Sequence, residues 1–200
     1  MRMKTNNIAA WLTNAAGQLS SLTSAPNLEA QLLLAEVLQK SRTWCLAHPD
    51  VCLSQKTIQV ADSYLQRALE GEPLPYILHR QEFFGLPFEV TPAVLIPRPE
   101  TEMLVEHALT WLNSHPGIRI VTDIGTGSGC IAITLALKAP SIKILASDIS
   151  FAALQVAQSN AQFHHVRDHI HFIQSDLLTG ISTKLDLICA NLPYIPGQTL

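Results

Sequence analysis

The stretch Ile118-Arg119-Ile120-Val121-Thr122-Asp123-Ile124-Gly125-Thr126-Gly127-Ser128-Gly129 decides the fold. Branched apolar residues lead to an acid, and three glycines follow at alternate positions. Branched residues suit a buried strand. Glycines just beyond it permit a tight turn and let a ligand approach the backbone closely. The spacing predicts a strand over 118–123 and a helix over 128–137. Downstream the pattern repeats, with strands over 142–148, 169–174 and 185–190 and a helix over 151–162. Strands alternating with short helices imply right-handed crossovers and a parallel sheet, an α/β fold. Immediately upstream, 101–113 reads as a helix ended by His115-Pro116-Gly117.

Further upstream the texture changes. Residues 71–99 hold Pro73, Pro75, Pro87, Pro92, Pro97 and Pro99 among the aromatics Tyr76, Phe83, Phe84 and Phe88. Such proline density disfavours helix interiors, and extended pieces around Gly85 suggest a hairpin-like connector. Before it, apolar residues recur at helical spacing. Trp11, Leu12, Ala15, Ala16 and Leu19 form one face; residues 28–38 form a second helix that Asn27 could cap. Residues 54–70 form a third, with Gly71 as its stop. The expected organisation is a helical domain over 1–70, a connector over 71–99 and the first part of an α/β domain over 100–200.

Composition limits the classes of function. Charged residues make up 14% and the net charge is −3, so no basic face points to nucleic acid. No signal peptide core follows the basic start, and the longest apolar stretch is broken by Glu29, Gln31 and Glu36. Cys45, Cys52, Cys130 and Cys189 form no C-x-x-C pair, which argues against zinc and reads as buried, reduced thiols in the cytoplasm. No membrane, metal or nucleic-acid partner is expected.

The glycine loop has the spacing G-x-G-x-G with Asp123 two residues before its first glycine. A nicotinamide dinucleotide fingerprint has G-x-G-x-x-G instead. Asp148 ends the second strand, 25 residues after Asp123, where a carboxylate can accept both hydroxyls of a ribose. This tighter loop resembles the cofactor loop of class I, Rossmann-like methyltransferases that use S-adenosyl-L-methionine. That resemblance places Gly125, Thr126, Gly127, Ser128, Gly129 and Asp148 at the cofactor. It also places Asp176 near the adenine amine and Leu177 beside the ring. A turn-capping role for Asp176 fits the sequence equally well.

The fourth strand runs into Ala190-Asn191-Leu192-Pro193-Tyr194. This resembles the N-P-P-Y turn of methyltransferases acting on planar amide or nucleobase nitrogens. An amide nitrogen carries two hydrogens and a delocalised lone pair, so it needs two acceptors in a fixed arrangement. The Asn191 side-chain oxygen and the Leu192 carbonyl can supply them, and orientation then supplies much of the rate. Tyr194 can lie on the flat face of the amide, and Pro193 holds Leu192 extended. Asn191 also adjoins the expected cofactor site. Leu192 stands where that turn usually has proline. The carbonyl survives the change, but rigidity of the turn is lost and weaker catalysis is expected.

With these residues in hand, nearly the whole chain resembles the PrmC/HemK family, protein-(glutamine-N5) methyltransferases. The resemblance includes Ser41-Arg42-Thr43-Trp44 and Ala47-His48-Pro49-Asp50. It also includes Gly71-Glu72-Pro73-Leu74-Pro75-Tyr76-Ile77 and Phe84-Gly85-Leu86-Pro87-Phe88. Most specific is Leu95-Ile96-Pro97-Arg98-Pro99-Glu100-Thr101-Glu102. The family modifies the glutamine of the Gly-Gly-Gln loop of peptide chain release factors. The resemblance implies a monomeric enzyme, the helical bundle as the part that recognises the release factor, and Pro97 to Glu102 beside the cofactor. It also implies a seven-stranded sheet, so three strands are expected beyond those read here. Two other readings stay open. One is a methyltransferase for a ribosomal protein glutamine or another nitrogen; the other is a weak or inactive binding module. The histidines His164, His165, His169 and His171 are expected as exposed imidazoles, and Trp11, Trp44 and Trp111 as core.

Overall fold

The computed structural model describes residues 6–192, and the chain divides into a unit ending at Leu78 and one beginning at His79. The first unit is a bundle of five helices. They are α1 (Ile8–Leu19), α2 (Pro26–Leu38), α3 (Arg42–Ala47), α4 (Gln55–Leu69) and α5 (Leu74–Leu78). Asn7, Ser41 and Ser54 cap α1, α3 and α4 through side-chain oxygens that accept backbone N–H groups. Helix α2 begins earlier than expected, because Pro26 supplies a preset φ in its first turn and Asn27 falls inside it. Helix α5 contains Pro75, which is tolerated because it sits in the first turn, where no intrahelical N–H bond is lost. The bundle buries Ile8, Leu19, Leu33, Leu34 and Ile77, and the Trp11 indole donates to Asp62 Oδ1 at 2.8 Å. Trp44 is only half-buried and stacks on His48.

The second unit opens with an antiparallel hairpin, β1 (Arg80–Phe83) and β2 (Leu86–Glu89). Its two-residue turn has Phe84 at φ 54° and Gly85 at φ 72°, the twist that tight hairpins prefer. Phe84 pays for a conformation unusual outside glycine, and its N–H donates to Glu102 Oε1 at 2.7 Å. Phe83 and Phe88 enter the core of this unit.

The remaining elements are α6 (Glu100–Ser114), β3 (Ile120–Ile124), α7 (Cys130–Lys138), β4 (Lys143–Asp148), α8 (Phe151–Phe163), β5 (Ile170–Gln174) and β6 (Leu187–Ala190). The sheet is wholly parallel, in the order β5-β4-β3-β6. The expected α/β architecture, Rossmann-like with crossovers on a parallel sheet, is therefore present. Strand β3 starts at Ile120, since Ile118 is 70% exposed and outside the ladder. Helix α7 starts at Cys130 because Gly129, at φ 80°, is left-handed and ends the turn. The chain steps from β3 outward through β4 to β5, then returns to add β6 on the other side of β3. Open parallel sheets bind ligands at such a reversal, beyond the carboxyl ends of the strands.

Besides that for Trp44, three expectations about side chains need correction. Cys52 is exposed, whereas Cys45, Cys130 and Cys189 are buried. His164 is half-buried rather than exposed; its Nε2 lies 2.7 Å from the Pro87 carbonyl and its ring packs on Phe88. Trp111 is half-buried and stacks on His115.

Candidate functional site: a cleft at the carboxyl ends of the strands

The glycine loop turns on three left-handed residues, Gly125 (φ 67°), Gly127 (φ 54°) and Gly129 (φ 80°). The loop is held by Thr126 N–H to the Ser147 carbonyl at 2.9 Å and Gly129 N–H to the Thr126 carbonyl at 2.8 Å. Asp148 closes β4 and accepts from Gly127 N–H through Oδ2 and from Ser150 N–H through Oδ1, both at 2.9 Å. A cleft of about 280 Å³ opens here, near the lower end of the range for small-ligand sites. It brings together Gly125, Gly127, Asp148, Asp176, Leu177 and Asn191, with Leu192 at its edge. Leu177 is left-handed at φ 50° and half-exposed to the cleft. The Leu192 side chain lies over Gly125, where an added Cβ would meet Leu192 Cδ2 at 2.9 Å.

The other expected residues stand elsewhere. Thr126 and Ser128 are buried and do not line the cleft. The Thr126 hydroxyl donates to Asp123 Oδ2 at 2.6 Å, so it organises the loop from behind. Gly129 is likewise a structural pivot. Pro193 and Tyr194 lie outside the described residues. Of the run from Pro97 to Glu102, none lines the cleft. Thr101 reaches it through Asn191, whose Nδ2 donates to Thr101 Oγ1 at 2.9 Å, and Glu102 holds the hairpin turn.

The structure adds residues that the sequence did not single out. Ala93 and Val94 line the cleft from the segment between the hairpin and α6, next to Leu95, which opens the run to Glu102 and lines the cleft too. Their signal was an apolar triplet just before the Pro97-Arg98 run. Asn160 gave no signal, being one amide within a helix. It is buried, its Oδ1 accepts from Glu89 N–H at 2.7 Å, and its Nδ2 donates to the carbonyls of Glu89 (3.0 Å) and Ser128 (2.9 Å). It ties the hairpin to the glycine loop. Asn160→Ala is expected to cost about 2–4 kcal/mol, since three hydrogen bonds go and buried backbone groups lose their partners. Denaturant unfolding of the variant checks this.

Electrostatics separate the candidate ligands. A pyrophosphate needs free backbone N–H groups at the loop and the first turn of the helix. Here Gly127 N–H is bonded to Asp148, and Ala132 N–H, in the first turn of α7, to Asp123 Oδ2 at 3.3 Å. Two protein carboxylates thus occupy the amides an anion would use, and Asp176 adds another acid to the cleft wall. A neutral ribose with a cationic appendage, as in S-adenosylmethionine, fits this donor set better than a pyrophosphate does.

Burial pushes the Asp123 carboxyl up to about 7; bonds from Thr126 and Ala132 oppose the shift, and the Asp148 charge adds to it. Among the described residues its Oδ1 has no hydrogen-bond partner. Burial, with the Asp123 charge second, also raises the Cys130 and Cys189 thiols to about 12, so both are inert. An unfolded aspartate titrates near pH 4, so between about pH 4 and pH 7 the folded state holds a proton the unfolded state has lost. Stability from this group therefore falls as pH rises across that window, with a slope approaching about 1.4 kcal/mol per pH unit. Asp123→Asn should abolish this component. The stability difference between variant and parent, measured from pH 4 to 8, should grow through the window and level off above it.

The described geometry is that of a Rossmann-like α/β domain with a parallel sheet and a cleft at its switch point. Residues 10–78 match the PrmC N-terminal domain, and residues 100–200 match the methyltransferase small domain. The release factor glutamine methyltransferase of Coxiella burnetii is 41% identical over 186 residues, covering 92% of this chain and 66% of the relative. The enzyme of that name from Escherichia coli strain K12 is 40% identical over 189 residues, covering 94% and 67%. Among solved structures, ribosomal protein L11 methylase from Lactobacillus delbrueckii subsp. bulgaricus is 29% identical with a TM-score of 0.42. That match covers 48% of this chain and 47% of the other. The chain belongs to the family of release factor glutamine methyltransferases. It spans about two thirds of the length of the curated relatives it matches. Among the described residues, no helix is long and apolar enough to cross a membrane.

Proposed function

We propose that the protein is a cytoplasmic enzyme that methylates the side-chain amide of the glutamine in the Gly-Gly-Gln loop of peptide chain release factors. The observation that carries this reading is Asn191. It stands on the cofactor-type cleft just past β6, with its Nδ2 tied to Thr101 and, among the described residues, its Oδ1 left to accept. S-adenosylmethionine, when bound, supplies a methyl group on a positively charged sulfur. Asp148 would hold the ribose hydroxyls, because its oxygens keep acceptor capacity beyond the two backbone bonds. Asp176 and Leu177 would hold the adenine, and Gly125 and Gly127 would let the ligand lie against the backbone.

Asn191 Oδ1 and the Leu192 carbonyl would accept the two hydrogens of the substrate amide. So held, the nitrogen faces the cleft in one orientation, and positioning does the catalytic work. No residue is required to remove a proton first, since N-methylation makes that proton acidic and water can take it. Pro193 and Tyr194 would complete the turn around the amide. The helical bundle would recognise the body of the release factor.

Calorimetric titration with S-adenosylmethionine and, in parallel, with NAD tests the cofactor assignment. Binding of the first and not the second supports the proposal. Binding of NAD alone would overturn it.

A further inference from the structure

The cleft is lined by segments far apart in the sequence. Gly125 and Gly127 come from the glycine loop, and Ala93 and Val94 from the chain just past the hairpin. A ligand held between two such segments binds as tightly as their spacing is preorganised. Asn160, on α8, is bonded to both.

The Asn160 side chain is 2% exposed, and its partners are backbone groups. Oδ1 accepts from Glu89 N–H at 2.7 Å, while Nδ2 donates to the Glu89 carbonyl at 3.0 Å and to the Ser128 carbonyl at 2.9 Å. A backbone N–H only donates and a carbonyl only accepts, so the amide is held in one orientation. Ser128 stands between Gly127 and Gly129, so its carbonyl fixes the glycine loop from behind. Glu89 ends β2, and the chain runs from it through the buried Val90 into a tight turn. There the Thr91 hydroxyl and carbonyl accept from Ala93 N–H at 3.3 Å and Val94 N–H at 3.0 Å. The turn delivers Ala93 and Val94 to the cleft from the point where Asn160 pins Glu89. Without the amide, buried backbone groups on both segments lose their partners, and the segments can part or slide to recover them.

We infer that Asn160 is a positioning residue that fixes the spacing between the glycine loop and the Ala93–Val94 segment, and thereby sets the affinity for S-adenosylmethionine rather than the rate of methyl transfer. The inference rests on the proposed function in taking this cleft as the cofactor's. Asn160 does not line the cleft and acts through the two segments it joins. A cofactor entering a loosened cleft must first order both of them, which weakens binding. Once it is bound the spacing is restored, so the rate at saturation survives.

The test compares Asn160→Ala and Asn160→Asp with Ile142→Ala and the unaltered protein. Aspartate keeps the shape and the bond from Glu89 N–H, but puts an oxygen where Nδ2 faced two carbonyls. Ile142 is buried just before β4, at the end of the strand away from the cleft, and does not line it. Its truncation lowers stability to a similar degree without touching either segment. Affinity for S-adenosylmethionine is measured by calorimetry well below the melting range, and turnover on a release factor is resolved into kcat and the KM for cofactor. Asn160→Ala should weaken cofactor binding by about tenfold or more and raise that KM alike, with kcat at saturating cofactor within about threefold of the unaltered protein. Asn160→Asp should shift both in the same direction, and it keeps the test decisive if alanine impairs folding. Ile142→Ala should lose stability alone. Unchanged cofactor affinity in the Asn160 variants would mean a purely structural asparagine and overturn the inference. An equal loss of affinity in Ile142→Ala, or a loss confined to kcat, would overturn it too. Failure of the unaltered protein to bind S-adenosylmethionine would instead remove the proposed function, and the inference with it.

Discussion

Asn191→Ala is expected to lower kcat/KM for methyl transfer by about 10²-fold or more, while cofactor affinity changes by less than about tenfold. In the proposed arrangement the asparagine oxygen is one of two acceptors for the substrate nitrogen, and the Leu192 carbonyl would not hold both hydrogens alone. Losing one preorganised polar contact at a reacting group typically costs 10²- to 10³-fold, and misplacing the group by about an ångström costs as much. Most of the loss should fall on kcat, because the body of the release factor would still bind through surfaces remote from the amide. Single-turnover kinetics with saturating cofactor separates the two parameters. A variant that kept near-normal kcat would show that the nitrogen is held by something else.

The second large effect is on stability. Gly129→Ala should destabilise the α/β unit by about 2–4 kcal/mol. The left-handed backbone at φ 80° costs a residue with a Cβ about 1–2 kcal/mol. The added Cβ would also lie 3.0 Å from Ile133 Cδ1 and 3.1 Å from Ala157 Cβ, both in fixed helices. Crowding of that kind costs a further ~1–2 kcal/mol. Thermal melting should record a fall of about 5–15 °C for a chain of this length. Gly129 does not line the cleft, so cofactor affinity below the melting range should change less than stability does. An unchanged melting temperature would mean that α8 yields to the methyl, contrary to the packing described.

The sequence displayed some of this clearly and some not at all. The strand, glycine loop and acid from Ile120 to Gly129 were legible because each local signal agrees with the fold: branched residues in the strand, glycines at left-handed positions, apolar residues through the helix. The destinations of side chains within the loop were not legible. Thr126 and Ser128 alternate with glycines of positive φ, so strand parity does not apply, and both turn inward. Helix α3 is too short for periodicity to register, and only the Ser41 cap marks it. Pro75 read as a helix breaker, because a first-turn proline and an interior one look alike until the helix start is known. Asn160 and Thr101 are the sharpest examples. Their partners lie 71 and 90 positions away, at Glu89 and Asn191, and no local pattern points across such distances.

The measurement that bears most directly on the central claim is transfer of labelled methyl from S-adenosylmethionine to a purified peptide chain release factor. The factor carrying Gln→Ala in its Gly-Gly-Gln loop and a preparation of ribosomal proteins run beside it. The account predicts label in the unaltered factor and none in the other two. Label that persists in the Gln→Ala factor, or that appears in a ribosomal protein instead, would contradict it.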